Sequence, residues 1–592
     1  MLKEIKTEIA EAIANITDVA NASEEQVLTS LEVPKEGFGD LSSKIAFIIA
    51  AEKKQNPMQI ANKLVEKLNE KLKNKKMRFI ERIETKGSYI NFYFNNEFYS
   101  EAIKKILKEK EKFGTEKKKS KKIMVEFFHA NTHKGVHIGH VRTMCLGEAV
   151  SRILEYSGNE VVRANYQGDI GPHVAKCLWG FLNLYEGKAP STNRGTWLGK
   201  VYADASNKIK GNAELEKEVQ EITVKLYAGD KKINDLWKKT RQWCLEDFKP
   251  MYKEFDVNFD EFYFESETQE TGMKLVKDFL KKGIVKEDQG ATILDLNNED
   301  LGVCVLITKE GYPLYHTKDI GLAKLKFDKY NLDRSIHVVG KEQEFYFKQL
   351  FKAFEKIGNV MPAFEKAAKV SYHLVYELVM LPEGKMSSRE GTMVLYQDLK
   401  EKLLEITLKE VKKRHENWPE DDTEKTAMQI TLAAIKFSML RRESNRVLLF
   451  NWDEALNLEG DTGPYLQYAY VRANAILEKA KEGQKQKANE KVKEKATTIK
   501  SYEFTNEEKR LIKKLCEFPE LIEKSARDMA PNYLADYLID VAGYFNKFYT
   551  TSRVLNAESD VERKTRLVIV NASSILLKNG LDLLGIQCPE KM

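Results

Sequence analysis

The sequence predicts an α/β protein built on a parallel sheet, preceded by a smaller α+β region and followed by an all-helical one. Residues 123–128 (IMVEFF) form an apolar run broken only by Glu126, which suits a strand buried on both faces of a parallel sheet. A loop and a helical pattern follow it, and residues 160–166 (EVVRANY) read as a second strand, completing a β-loop-α-β unit. Beyond about residue 400 the pattern is helical throughout: in residues 533–549, Leu534, Tyr537, Leu538, Val541, Phe545 and Phe548 recur at three- and four-residue spacing.

Taken in order, residues 1–118 combine a helical period in the first sixteen residues and in 58–72 with a strand-like stretch at 88–94 (SYINFYF). The helix after residues 123–128 is carried by Val141, Met144, Leu146, Val150, Ile153 and Leu154 and stops at Ser157-Gly158. Residues 175–255 are mostly helical and read as an insertion in the sheet domain. Strand-like segments at 292–296, 303–308, 335–339 and 369–374 alternate with helical stretches.

With 592 residues the chain exceeds the roughly 250–300 that one core accommodates, so three or four domains are expected. The 96 basic and 90 acidic side chains nearly cancel, so clustering says more than net charge. Lysines gather at 104–122 and 479–500, which suits either nucleic-acid phosphates or solvated linkers. Six scattered cysteines without a C-x-x-C pair argue against a zinc knuckle and a disulfide framework and fit a reducing cytoplasm. The amphipathic, acid-containing first residues lack the marks of a signal or transit peptide, and no run approaches the ~18 apolar residues of a membrane span.

Four of the nine histidines fall between positions 129 and 140, in the loop His129-Ala-Asn131-Thr-His133-Lys134-Gly135-Val-His137-Ile-Gly139-His140. A helix amino terminus offers free N–H groups and partial positive charge to a polyphosphate, and Gly139 would allow close approach to the backbone. His137 and His140 can donate hydrogen bonds as charge moves in an in-line displacement. A catalytic metal pair is disfavoured because the loop holds no acidic third ligand.

His137-Ile138-Gly139-His140, after a strand and opening a helix, is the HIGH sequence of class I aminoacyl-tRNA synthetases, which this chain resembles. Lys385-Met386-Ser387-Ser388-Arg389 resembles that family's KMSKS loop, with Ser388 in place of the second lysine and Arg389 in place of the last serine. The resemblance implies ATP binding by His137, Gly139, His140, Lys385, Met386, Ser387 and Ser388, with Lys134 reaching the phosphates in compensation for the weakened loop. His137, His140, Lys134 and Lys385 are the implied catalytic residues. ATP with Mg2+ is the implied cofactor set, without structural zinc.

The resemblance narrows to arginyl-tRNA synthetases. Recognition of a guanidinium requires carboxylates and neutral acceptors, since its five N–H donors would otherwise lose water without replacement. Residues 314–320 (LYHTKDI) resemble that family's Tyr-x-Thr-Arg-Asp-Ile stretch, with Lys318 for its arginine, implying that Tyr315 and Asp319 line the amino-acid pocket. An isolated Asp319 would otherwise read as a helix cap. Further matches put Asn131 near the α-amino or carboxylate group, Glu265 near the amino group or guanidinium, and Gln343 near the same pocket. Asn165-Tyr-Gln167-Gly-Asp169-Ile-Gly171 resembles a family stretch that makes Gln167 and Asp169 pocket candidates, a Gly-Asp turn being the alternative.

Residues 459–468 and 579–586 resemble the anticodon-binding domains of arginyl enzymes, and 34–42 with 87–92 resemble their amino-terminal domain, which meets the tRNA elbow. Aromatic faces beside basic groups suit unstacked bases. Tyr465, Tyr468, Tyr537, Tyr549 and Met592 are candidates for the anticodon, and Tyr89 and Asn91 for the elbow, each equally able to be core. The organisation implied is 1–118 elbow-binding domain and linker, 119–395 Rossmann-type catalytic domain with insertion, 396–460 helical connection and 461–592 all-α anticodon-binding domain. The expected function is ATP-dependent attachment of L-arginine to tRNA(Arg) by a cytoplasmic monomer without membrane association, activation itself requiring tRNA. The rivals are a non-catalytic RNA-binding relative and a class I enzyme for another amino acid. The sequence offers no functional account of 175–255 or 479–500.

Overall fold

The computed structural model describes the chain except residues 17–18, 20–21, 36, 74–76, 117, 381–393 and 488–501. Lys385, Met386, Ser387, Ser388 and Arg389 therefore lie outside the described residues, as do residues 488–500 of the second lysine-rich stretch. Two compact units result: Met1–Thr115 with Tyr468–Glu523 and Tyr537–Gly580, and Glu116–Gln467 with Lys524–Asp536 and Leu581–Met592.

In the first unit, β1 (Leu31–Glu32), β2 (Leu41–Ser43), β3 (Ile80–Lys86) and β4 (Tyr89–Phe94) form an antiparallel sheet in the order β1-β2-β4-β3. Gly87 takes φ +64° in the two-residue turn between β3 and β4, as the first position of a type II′ hairpin requires. Helix Pro57–Lys73 turns Ile60, Ala61, Leu64 and Leu68 inward, the stripe expected from a 3.6-residue period.

Two of the tRNA candidates in this unit are buried. Asn91 is enclosed in β4, its Oδ1 accepting from Ser42 Oγ at 2.8 Å, so it ties two strands together. Tyr537, on helix Pro531–Thr551, is equally enclosed and donates its hydroxyl to Lys514 O at 2.7 Å; its ring belongs to the core that the helical spacing predicted. Tyr89 is exposed, edge-on to Phe47 at 5.1 Å. Tyr468 and Tyr549 meet around Arg472, whose guanidinium lies 4.5 and 5.5 Å from their ring centres and bonds Tyr468 Oη (2.9 Å) and Asn546 Oδ1 (2.8 Å).

The second unit contains β5 (Lys122–Glu126), β6 (Glu160–Gln167), β7 (Glu261–Phe264), β8 (Lys286–Asp288), β9 (Ala291–Asp295), β10 (Val303–Ile307), β11 (Arg334–Gly340) and β12 (Ser371–Tyr376). Five of them make a wholly parallel sheet in the order β12-β11-β5-β6-β7. β8, β9 and β10 pair antiparallel in a separate sheet, so segments 292–296 and 303–308 stand outside the main one. Residues 296–302 are too few for a parallel crossover, which takes about a dozen. The helical insertion joins β6 to β7 through Pro172–Asn183, Arg194–Ile209, Ala213–Ala228 and Lys231–Phe255.

From β5 the chain steps outward to β6 and β7, then returns on the other side as β11 and β12. Strand order thus reverses between β5 and β11, where the carboxyl ends leave a crevice. Met124, Val162, Ala164, Tyr263, Leu322 and Leu332 pack as one core layer of this sheet. The tail of the chain docks on the same unit: buried Lys436 donates to Phe255 O (2.9 Å) and Gly585 O (2.6 Å), and Gln467 Nε2 to Gln587 O (2.6 Å). Met592 packs against the cluster of Val411, Ala427 and Ile430, so its side chain is engaged within the protein. Among the described residues no helix is long and apolar enough to cross a membrane.

Candidate active site

The loop after β5 is bent tightly: Phe128, His129 and His133 have φ values of +79°, +52° and +62°. Such conformations cost non-glycine residues on the order of 1–3 kcal/mol each and persist only where surroundings over-determine them. Here they do. His129 Nδ1 bonds Tyr166 O (3.1 Å), Thr132 N donates to Gly168 O (3.0 Å), and His133 bonds Thr132 Oγ1 (2.9 Å) and Thr240 Oγ1 (2.8 Å) through its two ring nitrogens. Burial lowers the His133 pKa to about 3, so it is a neutral structural group.

The loop ends in helix Ile138–Tyr156, with His137 as its N-cap. His137 Nδ1 accepts from Gly139 N (3.1 Å), His140 Nδ1 accepts from His137 N (3.2 Å), and the two rings lie 3.7 Å apart. With both Nδ1 atoms accepting, each proton resides on Nε2, leaving a pair of N–H donors. Burial, reinforced by Lys134, lowers His137 to about 4, and burial with His137 and Lys134 drives His140 well below its ordinary value. Both are neutral donors at physiological pH. A Cβ at Gly139 would lie 2.9 Å from the His137 ring, so this glycine makes room for the imidazole itself.

Helix Ile138–Tyr156 is anchored by Arg142, buried and donating to five backbone carbonyls, those of Glu377, Leu378, Glu443, Ser444 and Arg446, at 2.6–3.4 Å. Lys134 lies beside the loop with its ammonium 5.2 Å from the Tyr202 ring centre; burial lowers its pKa while Glu265 counters this.

A cavity of about 420 Å³ opens at the carboxyl ends of the strands, lined among others by Asn131, His137, His140, Glu265, Tyr315, Asp319 and Gln343. Seven of the sequence-derived candidates, scattered over more than 200 positions, therefore face one space. Asp319, on helix Tyr315–Lys329, accepts from Tyr346 Oη at 2.5 Å; burial pushes its pKa up to about 7 against the opposing pull of the Tyr346 and Tyr166 hydroxyls. Glu265 accepts from Lys318 Nζ at 2.6 Å; burial raises its pKa, and Lys318 is held protonated by it. Helices Glu265–Lys281 and Tyr315–Lys329 touch backbone to backbone, since a Cβ at Gly272 or Gly321 would fall 2.0 Å from Thr317 O or Thr268 O.

Gln167 and Asp169 do not line the cavity. Gln167 is buried and donates to Ala130 O (3.1 Å), while Asp169 is fully enclosed and bonded to Arg241 and Ser266. A carboxylate so engaged has no free face for a substrate, so Asp169 stands in a layer behind the pocket wall, the turn that was the alternative for it, while Gln167 stays a pocket candidate.

Sequence reasoning missed the floor. Glu126 lines the cavity, paired with Lys326 Nζ (2.8 Å) and His337 Nδ1 (3.1 Å); Lys326 and His337 hold its carboxyl below the usual range despite burial. Tyr346 was missed too. One signal was available: Glu126 is the lone acid in an apolar strand, where an unpaired charge would be costly. Among the described residues no three His, Cys, Asp or Glu side chains gather as metal ligands.

Comparisons with known proteins point to one family along the whole chain. Residues 102–452 match the family model "tRNA synthetases class I (R), catalytic domain", residues 466–592 the "DALR anticodon binding domain", and residues 3–94 the "Arginyl tRNA synthetase N terminal domain". The arginine–tRNA ligase of Bdellovibrio bacteriovorus is 35% identical over 99% of this chain and 98% of its own, and that of Treponema denticola 35% identical over 94% of each. The Thermus thermophilus arginyl-tRNA synthetase structure superposes with a TM-score of 0.77 at 26% identity, covering 99% of both chains. That of Plasmodium falciparum, at 20% identity, shares the fold with a TM-score of 0.76, covering 100% of this chain and 99% of its own.

Proposed function

The chain belongs to the arginyl-tRNA synthetase family, and on that premise we propose how its own residues carry the ligation of arginine to tRNA(Arg). The reaction activates L-arginine with ATP and transfers it to tRNA(Arg), releasing diphosphate and AMP.

The arginine carboxylate oxygen attacks the α-phosphorus of ATP, the bond to the bridging oxygen breaks, and that oxygen leaves with diphosphate. His137 and His140 donate Nε2–H to phosphate oxygens whose charge grows along this path, with no proton transferred. Lys134 adds a cation, and Lys385, outside the described residues, is assigned the same task. Mg2+ arrives on the ATP phosphates, as is usual for that ion. The adenylate carbonyl is then attacked by a hydroxyl of the tRNA terminal ribose, and AMP departs.

Asp319, oriented by Tyr346, takes the guanidinium; Tyr315 and Gln343 border it. Glu265 and Asn131 serve the amino end or the guanidinium, with Glu126 as a further acid on the floor. The observation that carries this reading is the convergence of two neutral Nε2–H donors and a half-buried, tyrosine-held carboxylate on one cavity. For tRNA, exposed Tyr89, half-buried Tyr465, and Tyr468 with Tyr549 around Arg472 are the assigned contacts. A monomer in a reducing, cytoplasmic setting completes the reading, the latter resting on six scattered cysteines without a paired spacing.

Aminoacylation of total tRNA with each of the twenty labelled amino acids, at saturating ATP and magnesium, tests the assignment. Arginine alone should charge, and diphosphate exchange should be nearly absent until tRNA is added. Charging with another amino acid would refute the pocket.

A further inference from the structure

Helix Lys231–Phe255 belongs to the insertion between β6 and β7, for which the motifs supply no task. Four of its residues, spaced i, i+3, i+4 and i+7, lie on one face, and all four grip the loops that build the amino-acid end of the site. Trp237 Nε1 donates to Asp169 O (2.6 Å) and Arg241 Nε to Asp169 Oδ2 (2.6 Å). Thr240 Oγ1 bonds His133 Nε2 (2.8 Å), and Cys244 Sγ accepts from His133 N (3.2 Å).

Asp169 passes this grip onward. Its Oδ1 accepts from Ser266 N (2.9 Å) and its Oδ2 from Ser266 Oγ (2.7 Å). Ser266 is the second residue of helix Glu265–Lys281, whose N-cap Phe264 supplies no side-chain cap, so Asp169 provides the carboxylate that the helix terminus favours. Glu265 is the preceding residue. Gly168 completes the contact: a Cβ there would lie 2.1 Å from Asn131 Oδ1 and 3.3 Å from Glu265 Oε1, so the Gly168-Asp169 turn presses on both side chains at once.

We propose that helix Lys231–Phe255 is the positioning element of the amino-acid end of the site, with Arg241 and Asp169 as the pair that sets Glu265 and Asn131 for arginine. Neither Arg241 nor Asp169 touches substrate; both act through the Gly168-Asp169 turn. The inference rests on the reading of Glu265 and Asn131 as arginine contacts.

The test uses the full-length enzyme and tRNA(Arg), measuring kcat and KM for arginine and ATP separately. Arg241→Met should raise the arginine KM on the order of tenfold, the scale of one hydrogen bond to a charged group, with the ATP KM and kcat within about twofold. Arg241→Lys should recover part of this. Asp169→Asn should match Arg241→Met, and the double variant should be no worse than either single one. Should Arg241→Met fail to fold, Arg241→Lys and Asp169→Asn carry the same comparison. An unchanged arginine KM, or arginine and ATP KM rising together, would overturn the proposal. Glu265→Gln separates the two levels: if it leaves the arginine KM unchanged, the reading of Glu265 fails; if it raises the KM while the Arg241 and Asp169 variants do not, the positioning proposal alone fails.

Discussion

The Tyr346 hydroxyl donates to Asp319 at 2.5 Å inside a buried pocket, and that contact opposes the burial that pushes the carboxyl up to about 7. Only the carboxylate pairs with a guanidinium. Below about pH 7 the free enzyme holds Asp319 protonated, so kcat/KM for arginine should fall toward tenfold per pH unit there and level off above. Because the hydrogen bond favours the charged form, Tyr346→Phe should move that inflection to higher pH. A profile flat from pH 6 to 8 would move the Asp319 inflection outside that range, and an unchanged arginine KM in Asp319→Asn would remove the residue from the assigned role.

His140→Ala should lower the rate of adenylate formation on the order of 10²–10³-fold, measured in single turnovers with saturating arginine, ATP and tRNA. Arginine affinity should change little. Since burial lowers His137 to about 4 and drives His140 well below its ordinary value, neither imidazole should add an inflection to the rate between pH 6 and 8. Unchanged turnover with a raised KM would be the contrary result.

Gly272 and Gly321 are the contact points of two helices that carry Glu265 and Asp319. Alanine at either forces the backbones apart, at a cost of about 1–3 kcal/mol. Both variants should unfold at lower denaturant concentration and show a higher arginine KM. An unshifted denaturation midpoint would mean the helices can separate freely.

Lys326→Met leaves Glu126 facing His337 alone in a buried site, a loss of about 3–5 kcal/mol by analogy with broken buried pairs. The sign for pH follows from the depressed carboxyl: its contribution is present above the unfolded value and is lost as pH falls through the folded one. Less depression in the variant moves acid unfolding to higher pH, which circular dichroism would register. An unmoved acid midpoint would assign the depression to other groups.

Tyr549→Ala removes one of the two rings around Arg472 and should raise the KM for tRNA by roughly three- to tenfold, the scale of a partly exposed stacking contact, leaving the arginine and ATP values alone. Tyr537→Phe, which loses the hydroxyl's bonds to Lys514 O and Leu515 O, should leave the tRNA KM unchanged. Equal effects of the two would point to helix stability rather than contact.

The residues that the sequence made legible are those with local signatures. The β5-loop-helix unit, the histidine pair and the stripe through Tyr537 all follow from short-range spacing along the chain. Side-chain direction was less legible. Asn91 and Tyr537 stand in the right elements with their polar ends turned inward, and Asp169 sits at the right turn with its carboxylate already engaged. Non-local pairing was not legible at all: Lys326 meets Glu126 across 200 positions, and no periodicity marks such a partner.

The order of strands in the parallel sheet has a consequence for synthesis on the ribosome. β5 sits at the centre, and one of its neighbours, β11, begins beside Asp333, which caps Lys122 N from 211 residues further on. At about 5–20 residues per second the inner edge of β5 stays unpaired for roughly 10–40 s after it emerges. Through that interval the nascent chain presents an apolar edge strand with open N–H and C=O groups, the feature that recruits foreign strands. The interval in which β5 lacks its neighbour is therefore the window in which a chaperone matters most, and slowing translation between residues 127 and 334 should cost more soluble enzyme than slowing it after residue 376.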